Sequence, residues 1–130
     1  MNEDNKTYIT ISGFISMSFD LNGTFSAEEL RTKKLAFDPY QMLLDDLIYR
    51  LEIGEGLNSE EFDKYPEDTA FVEWLIKYLG NMIESDQLPI EKVQFYEYEE
   101  NGSVQGYDYI ATLKLGWEDL WNKWNKYNQI

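Results

Sequence analysis

Apolar and polar residues alternate from Tyr8 to Leu21. Ile9, Ile11, Ile15, Met17, Phe19 and Leu21 fall on one face and Thr10, Ser12, Ser16, Ser18 and Asp20 on the other. This period of two predicts a long, half-buried strand. Phe14 breaks the alternation beside Gly13, where a β-bulge is expected, and Asn22-Gly23 closes the strand in a turn. Ser26-Ala27-Glu28-Glu29 has capping-box spacing and predicts a short helix to about Lys34. Asp38 stands before Pro39, with Gln41 at the third helical position and Phe37 and Met42 placed for a hydrophobic staple. These signals predict a helix over Pro39 to Ile53, stopped at Gly54. Its apolar stripe is Tyr40, Leu43, Leu44, Leu47, Ile48 and Leu51, opposite Asp45, Asp46, Arg50 and Glu52.

Gly54 to Asp68 reads as an acidic loop, with room for one helical turn at Ser59 to Tyr65. Phe71, Trp74, Leu75, Tyr78, Leu79 and Met82 repeat at helical spacing and predict a helix over about Asp68 to Glu84. Gly80 inside it costs about 1 kcal/mol relative to Ala and offers an early end. Asn101-Gly102 is the preferred pair for a type I′ turn between strands Val93 to Glu100 and Ser103 to Leu115. Regular pairing outward from that turn sets Tyr98 against Gln105, Tyr96 against Tyr107 and Gln94 against Tyr109. Tyr96, Tyr98, Tyr107 and Tyr109 then share a face with Ala111, Leu113 and Leu115. Val93, Phe95, Glu97, Glu99, Asp108 and Ile110 take the other. A last helix, Trp117 to about Tyr127, aligns Trp117, Leu120, Trp121, Trp124 and Tyr127, with Glu118 and Asp119 early and Lys123 and Lys126 late, as the helix dipole favours. The order predicts an α+β domain in which three to four helices pack a three-stranded antiparallel sheet, the long N-terminal strand plus the C-terminal hairpin.

At 130 residues the chain is expected to form a single domain, residues 1–130. It holds no cysteine and no histidine. That removes disulfide scaffolds, thiol nucleophiles, zinc fingers, haem ligation and His-dependent triads. No apolar h-region follows a basic start, and the longest apolar-rich stretches run to about ten residues, too short for a bilayer. A soluble protein of the bacterial cytoplasm is the expectation.

Charge changes the picture most. Twenty-five acids face eleven bases, a net of −14. Asp38 to Glu73 carry −9 and Glu84 to Glu100 carry −5, whereas the first 37 residues carry −1 and Lys114 to Ile130 carry +1. Such a chain does not bind nucleic acid through a general basic surface. Arg31, Lys33 and Lys34 form the one basic cluster and read as local compensation for acids.

Candidate chemistry is sparse. The carboxylate pairs Asp45-Asp46, Glu60-Glu61 and Glu67-Asp68 lack EF-hand spacing, and neighbours on a helix diverge by roughly 100°. No strand supplies the acid-x-Lys element of a carboxylate nuclease, since Glu91-Lys92 lacks the spacer. Gly54-Glu55-Gly56 is too short for a phosphate loop and lies among acids. The chain is expected to be no enzyme and to need no cofactor or metal. The aromatics read as core, with one or two of the four tryptophans left for an interface.

A dense carboxylate field attracts basic surfaces at long range. In size, acidity, lack of cysteine and richness in Asn, Lys, Tyr and Ile, with the acids Asp45, Asp46, Glu60, Glu61, Asp63, Glu67 and Asp68, the chain resembles phage- or mobile-element-encoded inhibitors of the anti-CRISPR and antirestriction type. Several of these are DNA mimics. The resemblance is one of class and carries over no motif. It implies a non-enzymatic inhibitor of a basic nucleic-acid-binding protein, such as a CRISPR effector nuclease, with no direct contact to nucleic acid or membrane. The expected contact residues are Asp45, Asp46, Glu52, Glu55, Glu60, Glu61, Asp63, Glu67, Asp68, Glu97, Glu99 and Glu100. An immunity protein against a basic nuclease toxin, and an acidic interaction domain without mimicry, remain alternatives. The sequence leaves the oligomeric state open.

Overall fold

The computed structural model describes residues 8–16, 22–33, 38–53 and 69–128. Its elements run β1 (Tyr8–Ile15), β2 (Gly23–Phe25), α1 (Ala27–Thr32), α2 (Pro39–Glu52), α3 (Thr69–Glu84), β3 (Ile90–Glu100), β4 (Ser103–Gly116) and α4 (Trp117–Asn128). The fold is α+β, and its sheet has four antiparallel strands in the order β1-β4-β3-β2 rather than three. The additional strand is β2, where Gly23, Thr24 and Phe25 pair with Phe95, Gln94 and Val93. Three residues hold too little alternation to announce a strand, and the Asn22-Gly23 turn signal masks them. Asn22-Gly23 therefore leads into a strand. The expected stretch 17–21 of the first strand, the Phe37 staple, the Gly54 stop and the turn at Ser59 to Tyr65 lie outside the described residues.

Local signals set the N-termini of α1 and α2. Ser26 forms both bonds of the capping box, its Oγ accepting from Glu29 N at 3.1 Å while its own N–H donates to Glu29 Oε1 at 2.7 Å. Asp38 Oδ1 accepts from the amides of Tyr40 and Gln41, each at 3.1 Å. Gln41 does not complete a box. Its Nε2 donates along the helix to Asp45 Oδ1 at 3.0 Å. α3 runs through Gly80 to Glu84, because its apolar face continues across the glycine to Ile83.

The hairpin turns at Asn101 and Gly102, with φ of +56° and +80° as a type I′ turn requires. Glu100 and Glu99 pair with Ser103 and Val104, but Tyr98 pairs with Gly106, so Gln105 is an extra residue. This bulge overturns the regular register. Tyr107 and Tyr109 now oppose Glu97 and Phe95 and lie in the core with Val93, Phe95, Ala111 and Leu113. Tyr96 and Tyr98 stand on the other face, opposite Asp108 and Gly106, and are exposed. The four tyrosines do not share a face. A one-residue slip moves every later side chain across the sheet.

The sheet gives one face to the core. Ile9, Ile11, Ile15, Val93, Phe95, Tyr107, Tyr109, Ala111 and Leu113 join Leu30 of α1, Leu43 and Leu47 of α2, Leu75 and Leu79 of α3, and Trp117, Leu120 and Trp124 of α4 in one buried cluster. Ile48, Trp74, Tyr78, Met82 and Trp121 pack at its margin rather than inside it, and Tyr127 is exposed. No described helix is long and apolar enough to cross a membrane.

Candidate functional site

The acidic face of α2 divides in two on folding. Asp46 turns inward and is half-buried. Its Oδ2 accepts the Tyr109 hydroxyl at 2.6 Å and Arg50 Nε at 3.2 Å. The Arg50 guanidinium also reaches the Phe14 carbonyl of β1 at 3.5 Å. Burial first, and then the bond to Asp46, pushes the Tyr109 phenol above its usual range. Burial opposes the charge on Arg50, yet the bond to Asp46 and its negative charge hold the guanidinium above its ordinary value.

Gly13 makes this contact possible. A Cβ there would run into Asp46 Oδ2 and would lie 2.6 Å from the Tyr109 hydroxyl and 2.8 Å from Arg50 Nε. No bulge sits at this position, since Ile11 to Ile15 pair without a break against Ala111 to Tyr107. The glycine lets the polar triad of α2 and β4 close over β1. Asp46, one of the expected contact residues, is half-buried and engaged by Arg50 and Tyr109.

Asp45 remains exposed and lines a cleft of about 300 Å³ with Phe14, Ile15, Ser16, Met42, Asp46 and Tyr49. This cleft lies where β1 ends. The antiparallel register places the β3–β4 turn at the same end of the sheet, because Ile15 opposes Tyr107 and Ser16 Oγ contacts the Gln105 carbonyl at 3.5 Å. Glu97, Glu99 and Glu100 are exposed there, and none of them forms an ion pair among the described residues. The fold therefore brings Asp45, Glu97, Glu99 and Glu100 to one end. Glu52 is exposed near the far end of α2, about 10 Å further along the helix axis. Glu55, Glu60, Glu61, Asp63, Glu67 and Asp68 lie outside the described residues. Among the described residues no three carboxylates gather as a metal cluster would require.

Arg31 meets the compensating role expected of it. Nη2 and Nη1 donate to the two Asp86 oxygens at 3.0 and 3.3 Å, Nη2 donates to the Tyr40 hydroxyl at 2.9 Å, and the guanidinium carbon lies 4.4 Å from the Tyr40 ring centroid. This clamp joins α1, α2 and the turn after α3. The tryptophans are part of the core or its margin. Trp117 and Trp124 are buried, while the half-buried Trp74 stacks on Tyr78 at 5.0 Å and Trp121 meets Phe71 edge-on at 5.0 Å.

The other face of the sheet carries residues that sequence spacing had separated. Asp108 on β4 has Phe14 of β1 opposite it on one side and Tyr96 of β3 on the other. Gly106, two residues away, lies beneath the Phe14 ring, which meets Tyr98 edge-on at 5.8 Å. The signal was the bare Gly106 in a strand, but only pairing fixes where the bulge falls. Compared with protein-family models, curated proteins and solved structures, the chain matches none of them.

Proposed function

We propose that this protein is a non-enzymatic inhibitor that binds the basic nucleic-acid-binding surface of a defence nuclease of the CRISPR-effector kind. The observation that supports the reading is the grouping of Asp45, Glu97, Glu99 and Glu100 at one end of the sheet, exposed and without an ion pair among the described residues. Carboxylates held in this way keep their full field for a partner. The chain-wide charge of −14 extends that field over the approach and repels the phosphates that would compete for the same surface. Charge steers the encounter, and a few apolar anchors set the lifetime of the complex.

The test is association of the protein with a purified CRISPR effector nuclease, followed by surface plasmon resonance, for the wild type and for the triple variant E97K/E99K/E100K. The expected result is that association slows as ionic strength rises from roughly 0.05 to 0.5 M and that the effector's own nucleic acid displaces the protein. The triple variant is expected to associate at least about tenfold more slowly. Salt-independent association, or a variant indistinguishable from the wild type, contradicts the reading.

A further inference from the structure

A second cleft, on strands β1, β3 and β4, differs in chemistry from the acidic end. A cleft of about 410 Å³ is lined by Ser12, Phe14, Tyr96, Asp108 and Ile110, with Gly13, Tyr109 and Arg50 completing it. Asp108, one of the lining residues, is exposed and pairs with no cation among the described residues. Two aromatic side chains flank it on neighbouring strands, Phe14 on one side and Tyr96 on the other. Their backbones stand two strand spacings apart, about 10 Å. Tyr98 lies outside this lining and meets the Phe14 ring edge-on.

We propose that this cleft receives an arginine side chain of the partner protein, a step that rests on the inhibitor reading above. A guanidinium is planar and weakly hydrated, stacks on aromatic faces and donates in parallel to a carboxylate. Phe14 and Tyr96 supply the faces, and Asp108 supplies the acceptor between them. Lysine uses this geometry less well, because its ammonium is a strongly hydrated point charge. Arg50 also lines the cleft, but Asp46 holds its guanidinium at 3.2 Å and offsets its charge. Tyr96 is 46 % exposed, so an incoming side chain meets ring surface without first displacing core. A nuclease surface that binds phosphates is itself rich in arginine, which matches the occupant to the proposed partner.

The experiment is a titration of the isotope-labelled protein with N-acetyl-arginine amide, and separately with N-acetyl-lysine amide, followed by amide chemical shifts. Saturable shifts are expected at Phe14, Tyr96, Asp108 and Ile110 with the arginine probe. The lysine probe, and the arginine probe on Asp108→Asn, are expected to bind about tenfold more weakly. Tyr96→Ala removes one wall and is expected to weaken the arginine probe while leaving the lysine response nearly unchanged. Shifts spread evenly over Asp45, Glu52 and Glu97 to Glu100, or a cleft response unaltered by Asp108→Asn, overturn the proposal. Capture of the nuclease separates the two readings. Loss of capture in E97K/E99K/E100K, with Asp108→Asn fully active, overturns the arginine cleft and leaves the inhibitor reading standing. No capture by the wild type, with the arginine probe still seated at Asp108, overturns the inhibitor reading instead.

Discussion

Gly13 decides whether the triad of Asp46, Arg50 and Tyr109 can form. Gly13→Ala drives a methyl group into all three polar atoms, so it is expected to destabilise the fold by about 2 kcal/mol or more, read from urea denaturation. Tyr109→Phe removes the donor at 2.6 Å from Asp46 and is expected to cost about 1–3 kcal/mol at neutral pH, since a bond to a charged group is lost. The pH dependence has a definite sign. The folded Tyr109 phenol is pushed up, whereas an unfolded tyrosine ionises near pH 10. The stabilisation is therefore complete below about pH 10 and is lost as pH climbs from there toward the folded value. The stability gap between wild type and Tyr109→Phe is expected to narrow by about 1.4 kcal/mol per unit above about pH 10. A gap that stays constant from pH 9 to 12 contradicts the assignment.

Helix boundaries were the most legible part of the sequence because their causes are local. Ser26 and Glu29, and Asp38 with Tyr40 and Gln41, bond across three residues or fewer, so the signal and the structure occupy the same stretch of chain. Ser26→Ala is expected to lose about 1 kcal/mol through the missing cap, measured by thermal or urea unfolding. Gly80 was ambiguous for the opposite reason. Propensity alone invites an end there, but the buried face on either side carries α3 onward. A Cβ at Gly80 meets nothing within 4 Å, so Gly80→Ala is expected to stabilise the protein by about 0.5–1 kcal/mol. Strand faces were less legible. The turn at Asn101-Gly102 is local, but the bulge at Gln105 is fixed by how Tyr107 and Tyr109 pack, and it reassigned both the core and the exposed face. β2 was invisible because its pairing with Phe95, Gln94 and Val93 lies about seventy residues away in sequence. The partnership of Asp46 with Tyr109 spans 63 residues and likewise left no local trace.

Across the whole molecule, the carboxylates fall into two sets. The chain spends Asp46 and Asp86 on internal ion pairs with Arg50 and Arg31. Asp45, Glu97, Glu99 and Glu100 stay exposed at one end of the sheet, and Asp108 stays exposed on the face opposite Tyr107 and Tyr109. Internal pairing and outward field are thus assigned to different carboxylates. The distinction predicts that reversing the outward set changes binding with little loss of stability, because isolated surface charges contribute about 0–1 kcal/mol. Neutralising Asp46 is expected to do the reverse, lowering the unfolding midpoint while leaving steering nearly intact. The most direct measurement is the association rate with a CRISPR effector nuclease across ionic strength, for wild type beside E97K/E99K/E100K. The expected rate falls steeply with salt in the wild type and is both slower and flatter in the variant. Equal rates and equal salt dependence for the two proteins would contradict this expectation.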